Sequence, residues 1–244
     1  MCRAWPLPSD VRLDGKTALL TGANAGLGLE AAKELARHGA SRVVLGVRNL
    51  AKGETAKQEI LAEAPGYDVM VWEVDQESWA SMAVFGKFTR LDIAILCAGV
   101  KTLVFEVAPT VHERNVQLGR STTSAPPSSP SSCPPPTHTT TLTQTPSCLT
   151  IVASEVHFWI PFSERHAPSL FARLDDPDAF KGMQRYNISK LLNILWMREL
   201  SARLAGDATV VNAVNPGLCA SALHRTDPTP GLDLLNRIFA WTSA

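Results

Sequence analysis

Apolar residues along the first 117 positions fall into two spacings. Thr17–Thr21 (TALLT), Arg42–Val47 (RVVLGV), Val69–Val74 (VMVWEV) and Leu91–Leu96 (LDIAIL) are short, nearly unbroken runs and read as strands. Continuous rather than alternating apolar character predicts strands covered on both faces. Between them, Leu27–His38, Leu50–Ala64 and Ser78–Phe88 carry apolar residues at helical spacing. Strand–helix alternation of this kind predicts an α/β domain built on a doubly wound parallel sheet.

The pattern breaks between Leu118 and Cys148, where 22 of 31 residues are Ser, Thr or Pro. Such a tract builds no core and is ordinarily disordered. Order is expected to resume with a strand at Leu149–Ala153 (LTIVA), an amphipathic helix over Tyr186–Leu204 and a strand at Thr209–Val214 (TVVNAV). The reading is a single domain over 13–244 with an anomalous low-complexity segment, 118–148, inside it.

Composition narrows the partners. Lys plus Arg, 23, equals Asp plus Glu, 23, so formal net charge is zero. That argues against nucleic acid or an acidic membrane surface as a main partner. The 244 residues, 45% apolar, suffice for one large core. No stretch approaches the roughly 20 apolar residues of a membrane span. The opening MCRAWPLPSD lacks the apolar core of a signal peptide, so a cytoplasmic protein is expected. Cys2, Cys97, Cys133, Cys148 and Cys219 form no CxxC pair and suit a reducing compartment. His112, His138, His166 and His224 lack metal-ligand spacing, and no metal site is expected.

Candidate chemistry begins where the first strand runs into Thr21-Gly22-Ala23-Asn24-Ala25-Gly26-Leu27-Gly28. Glycines at 22, 26 and 28 let a backbone turn tightly and approach a pyrophosphate. The following helix aims its N-terminal N–H groups and dipole at that phosphate. NAD binders usually end the second strand with an acid for the ribose hydroxyls. Here Gly46-Val47-Arg48-Asn49 offers none, and Arg48 can meet a 2′-phosphate instead. The cofactor expected is NADP(H) rather than NAD(H). Asp75 and Cys97-Ala98-Gly99 end the third and fourth strands and would face the same groove.

Tyr186 and Lys190 lie one helical turn apart on one face. A phenol titrates near 10. A neighbouring ammonium and a cationic nicotinamide favour the phenolate and lower that value, making the group an acid–base catalyst. Ser154 ends the strand Ile151-Val152-Ala153-Ser154, where its hydroxyl can hold a substrate oxygen. His157 either lines the substrate site or is a surface or packed residue. Phe158-Trp159-Ile160-Pro161-Phe162 either walls an apolar pocket or belongs to the core.

Taken together, TGANAGLG at 21–28, Asp75, CAG at 97–99, Ser154, YNISK at 186–190 and Asn215-Pro216-Gly217 resemble the short-chain dehydrogenase/reductase family. The resemblance covers about residues 13–117 and 149–244. It is nearest to retinol-dehydrogenase-like members of filamentous fungi, many of which serve secondary-metabolite pathways. It implies a Rossmann fold and a hydride transfer between nicotinamide and a small-molecule carbonyl. Tyr186 would be the general acid/base, Lys190 the group that orients the ribose and lowers the Tyr186 pKa, and Ser154 the stabiliser of the substrate oxygen. Cofactor contacts are implied at Gly22, Asn24, Gly26, Leu27, Gly28, Arg48, Asp75, Ala98, Gly99, Tyr186, Lys190, Pro216, Gly217 and Cys219.

The sequence departs from the family in three places. Cys97 replaces a usual Asn. The Ser/Thr/Pro tract sits where the family has an apolar helix that carries a catalytic Asn and often forms a dimer interface. Asn115 is near but lacks the following pattern, so a homo-oligomer would have an altered interface. The chain also stops at Ala244, soon after the sixth strand, which leaves that strand as an expected edge.

Serine codons of the TCN type, read one base earlier, encode only Phe, Leu, Ile or Val. A frameshift or mis-spliced exon between about Gln117 and Leu149 would therefore hide the missing helix, the alternative being a real disordered insertion. The genomic reading frame tests this: a shifted frame without an apolar helix sinks it. Loss of that cover predicts poor solubility and little activity. Two alternatives to the enzyme stand beside it: a non-catalytic nucleotide-binding protein, and an inactive remnant.

Overall fold

The computed structural model describes residues 8, 10–82, 91–123, 146–206, 209–217, 219 and 223. Six strands form one sheet: β1 (Thr17–Thr21), β2 (Arg42–Val47), β3 (Asp68–Glu73), β4 (Ile93–Leu96), β5 (Ser147–Val152) and β6 (Thr209–Val214). All are parallel, in the order β3-β2-β1-β4-β5-β6. The order reverses direction between β1 and β4. A cleft opens at such a switch point, beyond the carboxyl ends of the strands.

The helices are α1 (Gly26–Arg37), α2 (Leu50–Glu63), α3 (Trp79–Met82), α4 (Arg114–Thr123), α5 (Leu170–Leu174) and α6 (Gly182–Arg203). Continuous apolar strands are covered on both faces, as the pattern requires. Ala18, Leu20, Val43 and Leu45 pack under Leu29, Ala32, Leu35 and Ala56 of α1 and α2. Leu19, Val44 and Val74 meet Met82 of α3 on the opposite face.

The β4 strand starts at Ile93 rather than Leu91; just before it Asp92 bonds to Thr17 twice, its N donating to Thr17 O at 3.0 Å and its carboxylate accepting from Thr17 N at 2.9 Å. Most of the helix expected over Ser78–Phe88 lies outside the described residues, which carry only its start, α3.

The low-complexity reading of 118–148 needs correction at both ends. The α4 helix runs through Thr123, six residues into the tract, and β5 begins at Ser147. Residues 124–145 of the tract lie outside the described residues. Tertiary contacts outweigh composition at the α4 start. The Glu113 carboxylate caps the helix, accepting from Asn115 N at 3.1 Å and Val116 N at 3.0 Å. Val116 is buried against Phe162, Leu174 and Ile188. A Cβ on Gly119 would stand 3.1 Å from the Ser189 Cβ, so this glycine lets α4 close onto α6. Arg185 of α6 is fully buried and donates to the carbonyls of Leu174 and Ala179, tying the 170–180 segment to the helix that carries Tyr186.

Among the described residues no helix is long and apolar enough to cross a membrane. No cluster of His, Cys, Asp or Glu among them could hold a metal.

Candidate active site

A cleft of about 520 Å³ opens at the carboxyl edge of the sheet. Its floor is the β1–α1 turn. Gly22 (φ 67°) and Gly26 (φ 57°) adopt left-handed backbone that other residues avoid. A Cβ on Gly22 would sit 2.8 Å from Ala98 Cα, and one on Gly28 would sit 2.5 Å from Gly22 O. Gly28 does not line the cleft; it lets α1 start directly beneath the turn. Thr21 Oγ1 accepts from Cys97 N and Ala98 N, both at 3.2 Å, and so draws the end of β4 to the turn.

The structure brings together almost every residue singled out from sequence. Asn24, Leu27, Arg48, Asp75, Gly99 and Ser154 line this cleft with Gly22, Gly26 and Ala98, as do Tyr186, Lys190, Pro216, Gly217 and Cys219. Asn215 Oδ1 accepts from Gly217 N at 3.1 Å and shapes the last of these loops. Ser154 caps the short 3-10 turn Glu155–Trp159, its Oγ accepting from Val156 N at 3.5 Å.

A family model described as short chain dehydrogenase matches residues 16–118. The short chain dehydrogenase sol3 of Alternaria solani is 64% identical over 243 residues, covering 98% of this chain and 84% of that protein. The chain belongs to the short-chain dehydrogenase family. The short chain dehydrogenase yanD of Aspergillus niger is 33% identical over 239 residues, covering 91% and 72% of the two chains. Among solved structures, an uncharacterized protein from Mycobacterium paratuberculosis superposes with a TM-score of 0.67 at 25% identity, over 86% of this chain and 71% of that one. A short-chain dehydrogenase from Sphingobium yanoikuyae, solved with NADPH, shares the fold (TM-score 0.63, 20% identity, 85% and 73% coverage).

In this dehydrogenase the tyrosine–lysine pair departs from the sequence expectation in one respect. Burial pushes the Tyr186 hydroxyl up to about 12, with Cys219 adding to the rise. Burial also pushes Lys190 down to about 8. Lys190 Nζ donates to the Val152 carbonyl at 3.2 Å and lies 5.7 Å from the centre of the Tyr186 ring. Loss of water around the phenolate therefore outweighs the nearby ammonium. At neutral pH Tyr186 carries its proton. Burial raises the Cys97 thiol as well, so it stands in the cleft as a neutral group.

The open readings near Ser154 resolve by position. His157 Nδ1 pairs with the Ser154 carbonyl at 2.5 Å and its ring lies tilted against exposed Phe158, 4.0 Å between centroids, so it is a half-buried residue outside the cleft lining. The 158–162 run divides. Trp159 lines the cleft, while Phe162 is buried in the core beneath α6.

Sequence reasoning missed Glu77 and Lys101, both buried and both lining the cleft. It also left Asn115 unplaced. That side chain is buried beside Thr102, donating to the Thr102 carbonyl at 3.1 Å and accepting from Thr102 N at 3.0 Å. Asn115 thus secures the loop after β4. For Glu77, the available signal was its position two residues past Asp75, inside a turn that Asp75 closes.

Proposed function

We propose that this dehydrogenase is an NADP(H)-dependent oxidoreductase interconverting a ketone or aldehyde and its alcohol on an apolar small molecule, in secondary-metabolite biosynthesis. One observation carries the reading: Ser154, Tyr186 and Lys190 open onto the same cleft as the glycine turn. The residues present fit the cofactor. Gly22 and Gly26 leave the floor free of side chains, and Arg48 stands half exposed at its edge.

The β1–α1 turn, with Asn24 and Leu27, would hold the pyrophosphate, and Arg48 the 2′-phosphate. Asp75, Ala98 and Gly99 would border the adenosine half. Pro216, Gly217 and Cys219 would border the nicotinamide half. A bound reduced nicotinamide supplies hydride to the carbonyl carbon. Tyr186, protonated at neutral pH, gives its proton to the carbonyl oxygen, and the Ser154 hydroxyl donates a hydrogen bond to that oxygen. Lys190 holds the ribose side of the cleft beside the Tyr186 ring. In the direction of alcohol oxidation the deprotonated Tyr186 accepts the proton of the alcohol. Val156, Trp159, Met183 and Leu223 give the substrate end an apolar lining.

The test is a fluorescence titration of the full chain with NADPH and NADH, with Lys190→Ala as control, then turnover on a panel of apolar ketones and aldehydes. Saturable NADPH binding weakened in Lys190→Ala is expected. Tyr186→Phe should lower turnover by roughly 10²–10⁴-fold while NADPH affinity stays within about threefold. A folded chain that binds neither nucleotide overturns the reading.

A further inference from the structure

The end of β2 supplies no acid, yet folding sets one beside Arg48. Val74 N donates to Val47 O at 2.9 Å, so the loops leaving β2 and β3 start side by side. Asp75 Oδ1 accepts from Glu77 N at 2.9 Å and closes the turn that aims Glu77. Glu77 is 8% exposed and lines the cleft. Its Oε1 accepts from Arg114 Nε at 2.6 Å and lies 3.7 Å from Arg48 Nη1. Arg114 opens α4 and also pairs with Glu106. Arg48, Glu77, Arg114 and Glu106 therefore form one ion-pair network at the edge of the cleft where Arg48 stands.

The two arginines are held unequally. The Arg114 side chain is 28% exposed and bonds closely to both acids, whereas that of Arg48 is 53% exposed and its pairing to Glu77 is long. Arg48 is thus the group that can turn toward a ligand, and Glu77 is the charge it leaves. A doubly charged phosphate on Arg48 meets the Glu77 carboxylate across the guanidinium and is repelled. An unphosphorylated ribose brings hydroxyl donors, which a carboxylate accepts.

We infer that Glu77 is a specificity-determining residue. By competing for Arg48 it narrows the preference for NADP(H) over NAD(H). The inference rests on the proposed use of Arg48 as the 2′-phosphate ligand, and it places the discriminating acid on the loop after β3.

The experiment is equilibrium titration of NADPH and NADH into the full chain and into Glu77→Gln, Arg48→Ala and the double variant. The quantity read is the ratio of the two dissociation constants. Glu77→Gln should shift that ratio toward NADPH by roughly fivefold, the scale of one half-exposed ion pair. In the Arg48→Ala background the same change should move it by less than about twofold. Should Glu77→Gln fail to fold because Arg114 loses its partner, Glu77→Gln with Arg114→Gln removes both charges and should give the same shift. An unchanged ratio in the folded variant, or an equal shift with and without Arg48, overturns this inference while the enzyme reading survives. Failure of the folded parent chain to bind either nucleotide overturns both.

Discussion

Tyr186 and Lys190 sit one turn apart on α6, and burial acts on both toward the neutral form. For Tyr186 this keeps a proton available to a carbonyl oxygen at neutral pH. For Lys190 it has a cost that can be measured. The folded pKa of about 8 lies below the ordinary 10.5, so the charged native form is disfavoured while both states are protonated. As pH rises through about 8 the folded chain releases this proton before the unfolded chain does, and stability is regained up to about 10.5. Lys190→Met should therefore stabilise the fold by on the order of 1–3 kcal/mol near pH 7. The gain is reduced by the Val152 carbonyl left without its donor. The difference between the two chains should shrink toward about pH 10. Urea unfolding at both pH values checks this, and parallel pH profiles would show that the ammonium is solvated in the native state.

At the scale of elements, the glycine turn and α4 show two routes to a site. The turn is local chemistry. Gly28 is held by a contact between backbones, because a Cβ there would lie 2.5 Å from Gly22 O and the turn would have to shift. Gly28→Ala is expected to destabilise the fold by about 1–3 kcal/mol. NADPH affinity should fall more than tenfold, read by titration alongside thermal unfolding. Retained affinity would mean that the turn tolerates displacement of its first glycine. The turn was legible in sequence because both flanking elements were. The α4 helix was not, since Arg114–Thr123 has the composition of a loop. Its order comes from Glu113, from the Asn115–Thr102 bonds and from Val116 packing. None of these partners is adjacent in a periodic pattern.

Across the whole molecule the sheet is asymmetric. Its inner strands, β1 and β2, are buried on both faces, whereas β6 pairs with β5 alone among the described residues and alternates partly buried with exposed positions. Val210 and Val214 are 44% and 42% exposed. Among the described residues nothing pairs with the outer side of β6, and exposed valines on such a strand favour association. Val210→Thr with Val214→Thr should leave stability within about 0.5 kcal/mol. Light scattering should show slower self-association. A loss of more than about 2 kcal/mol on thermal unfolding would instead show that these valines are packed.

By itself the sequence determined the parallel sheet, the glycine turn and the spacing of Tyr186 and Lys190. Each is written in residues close along the chain, where apolar runs, backbone freedom and helical pitch act locally. The tertiary structure alone decided which charges share the cleft. Glu77 and Arg48 are 29 positions apart, yet the pairing of β2 with β3 brings their loops together. Burial likewise decided the protonation of Tyr186, because the loss of water depends on every segment that closes around the hydroxyl. Periodicity cannot report either effect, since both arise from groups that meet only after the sheet has formed.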